Sequence, residues 1–364
     1  MLIRENVPLA PLTTLGVGGP ARYFAEAATE ADVLESVKFA RLRRLPLFVL
    51  GGGSNLVVAD AGFAGLVLKI GIPGITQFTP SHGEMVFIVG AGCDWDMFVA
   101  ETVEANCAGL ECLSGIPGTV GGTPVQNVGA YGQDVCQTIT EVRALDLVAL
   151  AVVTLTNADC GFAYRSSIFN TTERGRYIVL QVAFSLRPNG IANIRYADLE
   201  KHFAGQSSEP TLQEVRAAVR EIRHRKAMLI VPGEDDARSA GSFFKNPIVP
   251  QGLFEEITAR LASHPSTLMS YPAANGAQKV PAAWLVEHAG FSKGYTKGRA
   301  GISSKHALAI VNRGGATAAE ILALKEEIQA RVLDKFGIQL QPEPVFVGFE
   351  TGITLPESPS PCRT

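Results

Sequence analysis

Apolar residues at Val33, Val37 and Ala40 recur at spacings of four and three, which keeps them on one face of a helix. Thr29-x-x-Asp32 just ahead of them forms a capping-box start, with aspartate in place of the usual glutamate, and Pro46 stops the helix. The same grammar returns twice. Thr211-x-x-Glu214 leads into Leu212, Val215, Val219 and Ile222, spaced 3, 4 and 3, and Thr317-x-x-Glu320 leads into Ile321, Leu324, Ile328 and Val332, with Gly337 as the stop. Asp94 predicts the cap of a further helix that runs through Cys107 and ends at Gly109. Apolar runs at 47–50, 66–70 and 86–89, with β-rich stretches at 139–156 and 177–186, read as strands. Short, mixed strands among capped helices predict an α+β arrangement for residues 1 to about 190. Opposite the apolar face of the 211–226 helix stand Arg216, Arg220, Arg223, Arg225 and Lys226, and the ordinary reading of such a basic face is solvation. The Ser/Pro-rich end, TGITLPESPSPCRT, predicts a disordered tail over 351–364.

Length and composition narrow the class. At 364 residues the chain is too long for one ordinary core and suggests two or three domains. Hydrophobic content of 46%, charged content of 18% and a net charge of −3 argue against disorder and against generalised nucleic-acid binding. Any anionic ligand must then be held by local positive charge. Cysteines 93, 107, 112, 136, 160 and 362 form no C-x-x-C pair and no zinc spacing, so reduced thiols and no metal are expected. The N-terminus lacks the uninterrupted apolar core of a signal peptide, and the longest apolar stretch, 147–155, is half of the ~20 residues a spanning helix needs. A soluble, cytoplasmic protein is expected.

Candidate chemistry lies in two glycine-rich loops. Gly51-Gly52-Gly53-Ser54-Asn55 follows the run Leu47-Phe48-Val49-Leu50, and backbone N–H groups freed by glycine at a strand end form an anion-binding nest suited to a pyrophosphate. The segment 114–132, SGIPGTVGGTPVQNVGAYG, has glycine at six of nineteen positions, while Pro117 and Pro124 fix φ between them. A chain pinned and freed in this alternation lies closely against something flat or phosphorylated, and the two loops together suggest a dinucleotide. Several common constellations are missing: G-x-x-x-x-G-K-[ST], H-E-x-x-H and G-x-S-x-G. Gly16-Val17-Gly18-Gly19-Pro20-Ala21 satisfies the letters of G-x-G-x-x-A, but no strand precedes it and Pro20 suits a turn, so it is read as a chance match. Ser242, between Gly241 and two phenylalanines, is either an exposed turn residue or a positioned proton donor, with Lys245 and Asn246 beside it for phosphate or carbonyl oxygens. Arg165, flanked by aromatics in FAYRSSIF, is either a surface residue or a clamp for a carboxylate. Glu343 sits between Pro342 and Pro344, which suits an aimed carboxylate or a polyproline-like turn.

In this order, GGGSNLVV, GLECLSGIPGTVGGTPVQNVGAYG, FAYRSSIFN, Tyr196-Ala197-Asp198-Leu199, AGSFFKNP and LQPEPVF resemble the UDP-N-acetylenolpyruvoylglucosamine reductase (MurB) family, from about Thr14 to Gly348. The resemblance implies an α+β enzyme with a two-domain FAD-binding fold of the vanillyl-alcohol-oxidase (PCMH) type and a third α+β domain for the UDP-sugar. Its implied boundaries are 1–72 and 73–226 for the FAD-binding parts, 227–337 for the substrate domain, and 338–350 returning toward the flavin. It further implies that NADPH reduces FAD, that UDP-N-acetylglucosamine enolpyruvate then receives hydride in the same site, and that UDP-N-acetylmuramate is released for peptidoglycan synthesis.

By matching motifs, Ser242 is the implied proton donor, and Arg165 and Glu343 bind and polarise the substrate carboxylate, with Glu343 protonated or oriented through Arg165. FAD is expected to contact Gly51, Gly52, Gly53, Ser54, Asn55 and Leu56 in the first loop. In the second it is expected to contact Ser114, Ile116, Pro117, Gly118, Thr119, Gly121, Gly122, Gly129 and Tyr131. Tyr164, Tyr196, Arg223, Lys226, Asn246 and Lys293 are the implied substrate contacts. Because none of the six histidines falls in either glycine loop, FAD is expected to be noncovalent. The implied protein is a monomer whose partners are NADPH and the UDP-sugar, with no nucleic acid and no membrane. Val345 stands where some members carry Arg, and His306 where some carry Gln. The alternatives are another noncovalent FAD oxidoreductase of the same fold and a non-catalytic nucleotide-sugar binder, which would not need Ser242, Arg165 and Glu343 together.

Overall fold

A computed structural model describes residues 1–80, 83–261 and 268–349; the tail expected to be disordered lies outside the described residues. Helix α1, Glu30–Leu42, starts in the expected capping box, with Asp32 N–H donating to Thr29 Oγ1 at 3.1 Å and Thr29 N–H donating to Asp32 Oδ2 at 3.0 Å. It buries Val33, Val37 and Ala40 against a four-stranded sheet in the order Ile3–Pro8, Pro20–Ala27, Phe63–Ile70, Leu47–Leu50. The outer pair is antiparallel, and the other two pairings are parallel.

A second, wholly antiparallel sheet runs in the order Ala151–Thr156, Ile139–Asp146, Tyr177–Pro188, Met85–Gly90, Ile75–Phe78. Helix α2, Trp95–Glu104, covers it, and Phe98 packs on Phe87 and Phe184 at ring separations of 5.8 and 5.1 Å. Asp94 caps α2 as expected, but the helix ends three residues before Cys107. Asn106 takes the left-handed conformation, φ 52°, and Cys107–Ala108 then pairs with Arg187 and Pro188 of the long strand.

Helix α3 spans Ala197–His202 and α4 spans Leu212–Arg225, the latter opened by the Thr211–Glu214 capping box. Of its basic face, Arg225 is exposed as expected, but Arg216, Arg220 and Arg223 are not merely solvated. Arg216 and Arg220 both grip Asp96 on α2, the first at 2.6 Å, and Arg223 is buried. Burial pushes the Asp96 carboxyl up, yet hydrogen bonds from Arg216 and the Gly115 N–H, with Arg220 nearby, hold it below the usual range.

The third layer is a four-stranded antiparallel sheet in the order Ser239–Ser242, Ala309–Asn312, Ala300–Ile302, Thr296–Lys297. Helices α5 (Gln251–Arg260), α6 (Ala282–His288) and α7 (Ala318–Phe336) complete its core with Phe243, Phe244 and Phe291. Leu15, Val17 and Val57 of the first layer join the same core. Helix α7 ends at Gly337, whose φ of 69° is the left-handed cap that glycine adopts without a Cβ penalty. Beyond it the chain returns to the first layer, where Val345–Val347 pairs in parallel with Leu56–Val58, immediately after the first glycine loop. Glu343 is thereby fixed from two sides, its N–H donating to Phe243 O at 2.9 Å and its carbonyl accepting from Asn55 Nδ2 at 3.2 Å. Among the described residues, five cysteines are free thiols and no helix is long and apolar enough to cross a membrane.

Candidate active site

The two glycine loops touch. A Cβ on Gly52 would lie 2.5 Å from Gly118 Cα, and one on Gly51 would lie 2.9 Å from Thr119 Oγ1. Gly53 has φ 67°, and a Cβ there would fall 2.0 Å from the Leu12 carbonyl oxygen, so glycine is required on both steric and backbone grounds. Among the described residues, the N–H groups of Gly53, Ser54 and Asn55 donate to no backbone carbonyl, and buried Thr119 Oγ1 has no hydrogen-bond partner. Polar groups left in that state at the wall of a cavity fit a ligand rich in oxygen acceptors, such as the pyrophosphate of a dinucleotide.

The cavity they border has a volume of about 1290 Å³, beyond the ~300–1,000 Å³ of an ordinary small-molecule site and large enough for a dinucleotide beside a second ligand. Of the residues implied as flavin contacts, all line it except Ser114, which is buried with its hydroxyl donating to Glu111 O at 2.7 Å. Gly18 and Gly19, the chance dinucleotide match, lie outside it. Their missing Cβ atoms make room for Val58 and the Asp60 carbonyl, at 2.4 and 2.2 Å.

Arg165, Ser242 and Glu343 all face this cavity. Ser242 ends its strand opposite Ala309, and its Oγ lies 3.1 Å from His306 Nε2. Arg165 sits in a tight turn closed by the Ala163–Ser166 bridge, at φ 52°, a left-handed conformation unusual for arginine and of the kind found where a side chain must be aimed. Its guanidinium donates to Asn127 O at 3.4 Å and to Gly129 O, pairs with Asp134 at 3.4 Å, and reaches Glu343 Oε1 at 3.6 Å. Burial raises the Glu343 carboxyl above its ordinary range and outweighs the opposing pull of Arg165 and Lys245. Burial thus favours the neutral form of Glu343, the form that can donate toward an oxyanion, and Arg165 brings positive charge to within 3.6 Å of it.

The implied substrate contacts are less uniform. Tyr164, Tyr196, Lys226 and Asn246 line the cavity; Tyr196 packs edge-on against Tyr131 at 5.3 Å, and Lys226 Nζ pairs with Asp198 at 2.6 Å. Asn246 spends its Oδ1 on the Ala282 N–H at the start of α6, 2.9 Å away, and its amide N–H groups have no partner among the described residues. Arg223 reaches the cavity wall but its guanidinium serves two carbonyls, Gly115 O at 3.0 Å and Met228 O at 2.7 Å, tying the second glycine loop to the 227–230 segment. Lys293 is exposed and does not line the cavity, although its charge reaches His306. Two contributors were not among the implied site residues. Gln126, inside the second glycine loop, accepts from Asn55 Nδ2 at 2.8 Å and links the loops, and His306, marked in the sequence only as a departure from Gln, is brought to Ser242 by strand pairing across 64 positions.

A family model described as "FAD binding domain" matches residues 21–150, which hold both glycine loops. A second, "UDP-N-acetylenolpyruvoylglucosamine reductase, C-terminal domain", matches 232–347, which hold Ser242, Asn246, His306 and Glu343. The reductase of that name from Thermobifida fusca is 48% identical over 349 residues, 94% of this chain and 98% of its own length. The chain belongs to the UDP-N-acetylenolpyruvoylglucosamine reductase family. It is an oxidoreductase with an FAD-binding domain. The reductase from Streptomyces avermitilis is 45% identical, covering 95% of each chain. The crystal structure of the Thermus caldophilus reductase superposes with a TM-score of 0.63 at 26% identity, over 95% of this chain and 100% of that one. Arg165, Tyr196 and Lys226 fall between the two matched segments, so their placement rests on the cavity geometry above.

Proposed function

We propose that the chain reduces UDP-N-acetylglucosamine enolpyruvate to UDP-N-acetylmuramate at the expense of NADPH, as a cytoplasmic monomer with noncovalent FAD, in peptidoglycan precursor synthesis. Residues 1–72 and 73–226 clasp the flavin, 227–337 receive the UDP-sugar, and 338–350 return Glu343 to the junction. The observation that carries this reading is the convergence of Ser242, Arg165 and Glu343 on one cavity walled by both glycine loops. When bound there, FAD supplies the hydride chemistry, between NADPH and the vinyl carbon of the substrate.

Hydride at the terminal carbon leaves negative charge on the carbon that bears the ether, shared with the attached carboxylate. Arg165 and Glu343 hold that carboxylate, Arg165 by charge and Glu343, in the neutral form its burial favours, by donating a hydrogen bond from its O–H. Ser242 then gives its hydroxyl proton to the carbon; serine is a weak acid in water, but toward a carbanion-like centre position matters more than acidity. Lys226 and the Asn246 amide hold diphosphate and sugar oxygens, and Tyr164 and Tyr196 offer flat surfaces beside them.

An anaerobic visible spectrum tests the reading. NADPH should bleach the bound flavin, and the enolpyruvyl UDP-sugar should restore its colour. Bleaching without recovery would favour another oxidoreductase of this fold, and no bleaching would overturn the NADPH assignment. Acid or heat should release the FAD into solution; flavin that stays with the denatured polypeptide would contradict noncovalent binding.

A further inference from the structure

We propose that His306 is the positioning residue of the proton-donating serine: its Nε2–H donates to Ser242 Oγ, turns the hydroxyl hydrogen toward the cavity, and holds the charge left on Oγ. The inference rests on the reading of Ser242 as proton donor. Ser242 Oγ and His306 Nε2 are 3.1 Å apart, a hydrogen bond that either atom could donate. A serine that gives its hydrogen to carbon cannot spend it on the imidazole. The nitrogen must therefore be the donor, which selects the Nε2–H tautomer.

The surroundings fit a neutral imidazole in that role. Burial foremost, then the cations Lys226, Lys293 and Arg223, push His306 down to about 4, so near neutral pH the ring carries one proton and no charge. The turn that carries it is clamped from behind. His306 N–H donates to Ser303 Oγ at 3.2 Å, and Ser303 Oγ donates to the buried carboxylate of Asp236 at 2.9 Å. Asp236 also accepts from Ser304 N–H at 2.9 Å and Ser304 Oγ at 2.7 Å, and is neutralised by Arg313 at 3.1 Å. From the other side Phe243 N–H donates to Leu308 O at 2.8 Å, so sheet pairing fixes the separation between serine and histidine.

In the step itself the Ser242 O–H bond breaks as the substrate C–H bond forms, and the electron pair of the broken bond stays on Oγ. The His306 N–H keeps its proton and stabilises that oxyanion by hydrogen bonding until water returns a proton to Oγ and leaves as hydroxide. Arg165 and Glu343 act on the carboxylate, and among the described residues His306 alone lies within hydrogen-bond distance of Ser242 Oγ.

Stopped-flow measurements on the flavin-loaded enzyme separate the alternatives. In His306→Leu, reoxidation by the enolpyruvyl substrate should slow ~10²-fold or more, the loss expected for one oxyanion donor, while flavin reduction by NADPH changes far less. His306→Gln, which presents an amide N–H at similar reach, should recover most of that rate. In a Ser242→Ala background, His306→Leu should add nothing. Long-range ¹H–¹⁵N NMR should place the His306 proton on Nε2 at neutral pH, a readout that survives even if the leucine variant does not fold. Slow reoxidation in Ser242→Ala with native reoxidation in His306→Leu overturns the inference alone, as do additive effects in the double variant or a proton on Nδ1. Native reoxidation in Ser242→Ala overturns the reading beneath it.

Discussion

Gly52→Ala tests the claim that the two glycine loops are pressed backbone to backbone. The added methyl would lie 2.5 Å from Gly118 Cα, 2.8 Å from Gly118 C and 3.1 Å from Thr119 N. Ordinary contact begins at 3.4 Å, so the shortfall is 3.4 − 2.5 = 0.9 Å, and the three nearest atoms are all main chain. No side chain can swing aside. Overpacking of this kind costs ~1–3 kcal/mol, and for a folding unit of ~150–250 residues each kcal/mol moves Tm by ~2–4 °C. The apoprotein should therefore melt roughly 2–12 °C lower by thermal denaturation. Separating the loops also moves the unpaired N–H groups of 53–55 away from Thr119, so FAD affinity measured by fluorescence quenching should fall as well. Gly252→Ala on α5 is the control, because a Cβ there meets nothing within 4 Å and alanine is the better helix former by ~1 kcal/mol. It should melt at or slightly above the native temperature and bind FAD normally. A Gly52→Ala protein with native Tm and native FAD affinity would refute the loop contact.

Lys226→Ala should weaken UDP-sugar binding by ~10–150-fold, the equivalent of ~1.5–3 kcal/mol for a charge-assisted contact, and leave FAD affinity near native. Asp198, left without its 2.6 Å partner, would add repulsion, so titration calorimetry showing equal UDP-sugar affinities would return Lys226 to a structural role. Glu343→Gln should change the pH dependence of stability. Burial raises the folded-state value of Glu343, so its contribution to stability is full below the unfolded value near ~4.3 and is lost as pH rises toward the folded value. Glutamine has no proton to lose, so Tm of the variant minus Tm of the native protein should grow as pH rises from ~4.3; a constant or shrinking difference would contradict the raised value.

What the sequence made legible was mostly local. The capping boxes at Thr29, Thr211 and Thr317 each use groups three residues apart, and each opens the helix it predicted. Helix α2 ran short because its end is decided by a strand pairing with 187–188, about eighty residues onward, which no local spacing reveals. The solvated reading of Arg216 and Arg220 on α4, and the ligand reading of Arg223, failed for the same reason. Asp96, which takes Arg216 and Arg220, and the Gly115 carbonyl, which takes Arg223, lie more than a hundred positions away. At the cavity, glycine density identified both loops because close backbone approach leaves a compositional trace. His306 showed in the sequence only as a departure from the Gln that some members carry, and nothing tied it to Ser242 until the strand Ala309–Asn312 set it there.

The most direct measurement is the rate of flavin reoxidation in Ser242→Ala, followed anaerobically by stopped flow after NADPH has reduced the enzyme. Only the second half of the reaction needs a proton delivered to carbon. The variant should bleach at close to the native rate and then reoxidise ~10²–10⁴-fold more slowly with the enolpyruvyl UDP-sugar, with Ser242→Cys recovering part of the loss. Native reoxidation would remove Ser242 from the chemistry, and equal slowing of both halves would mean that the substitution damages the flavin site rather than the proton transfer.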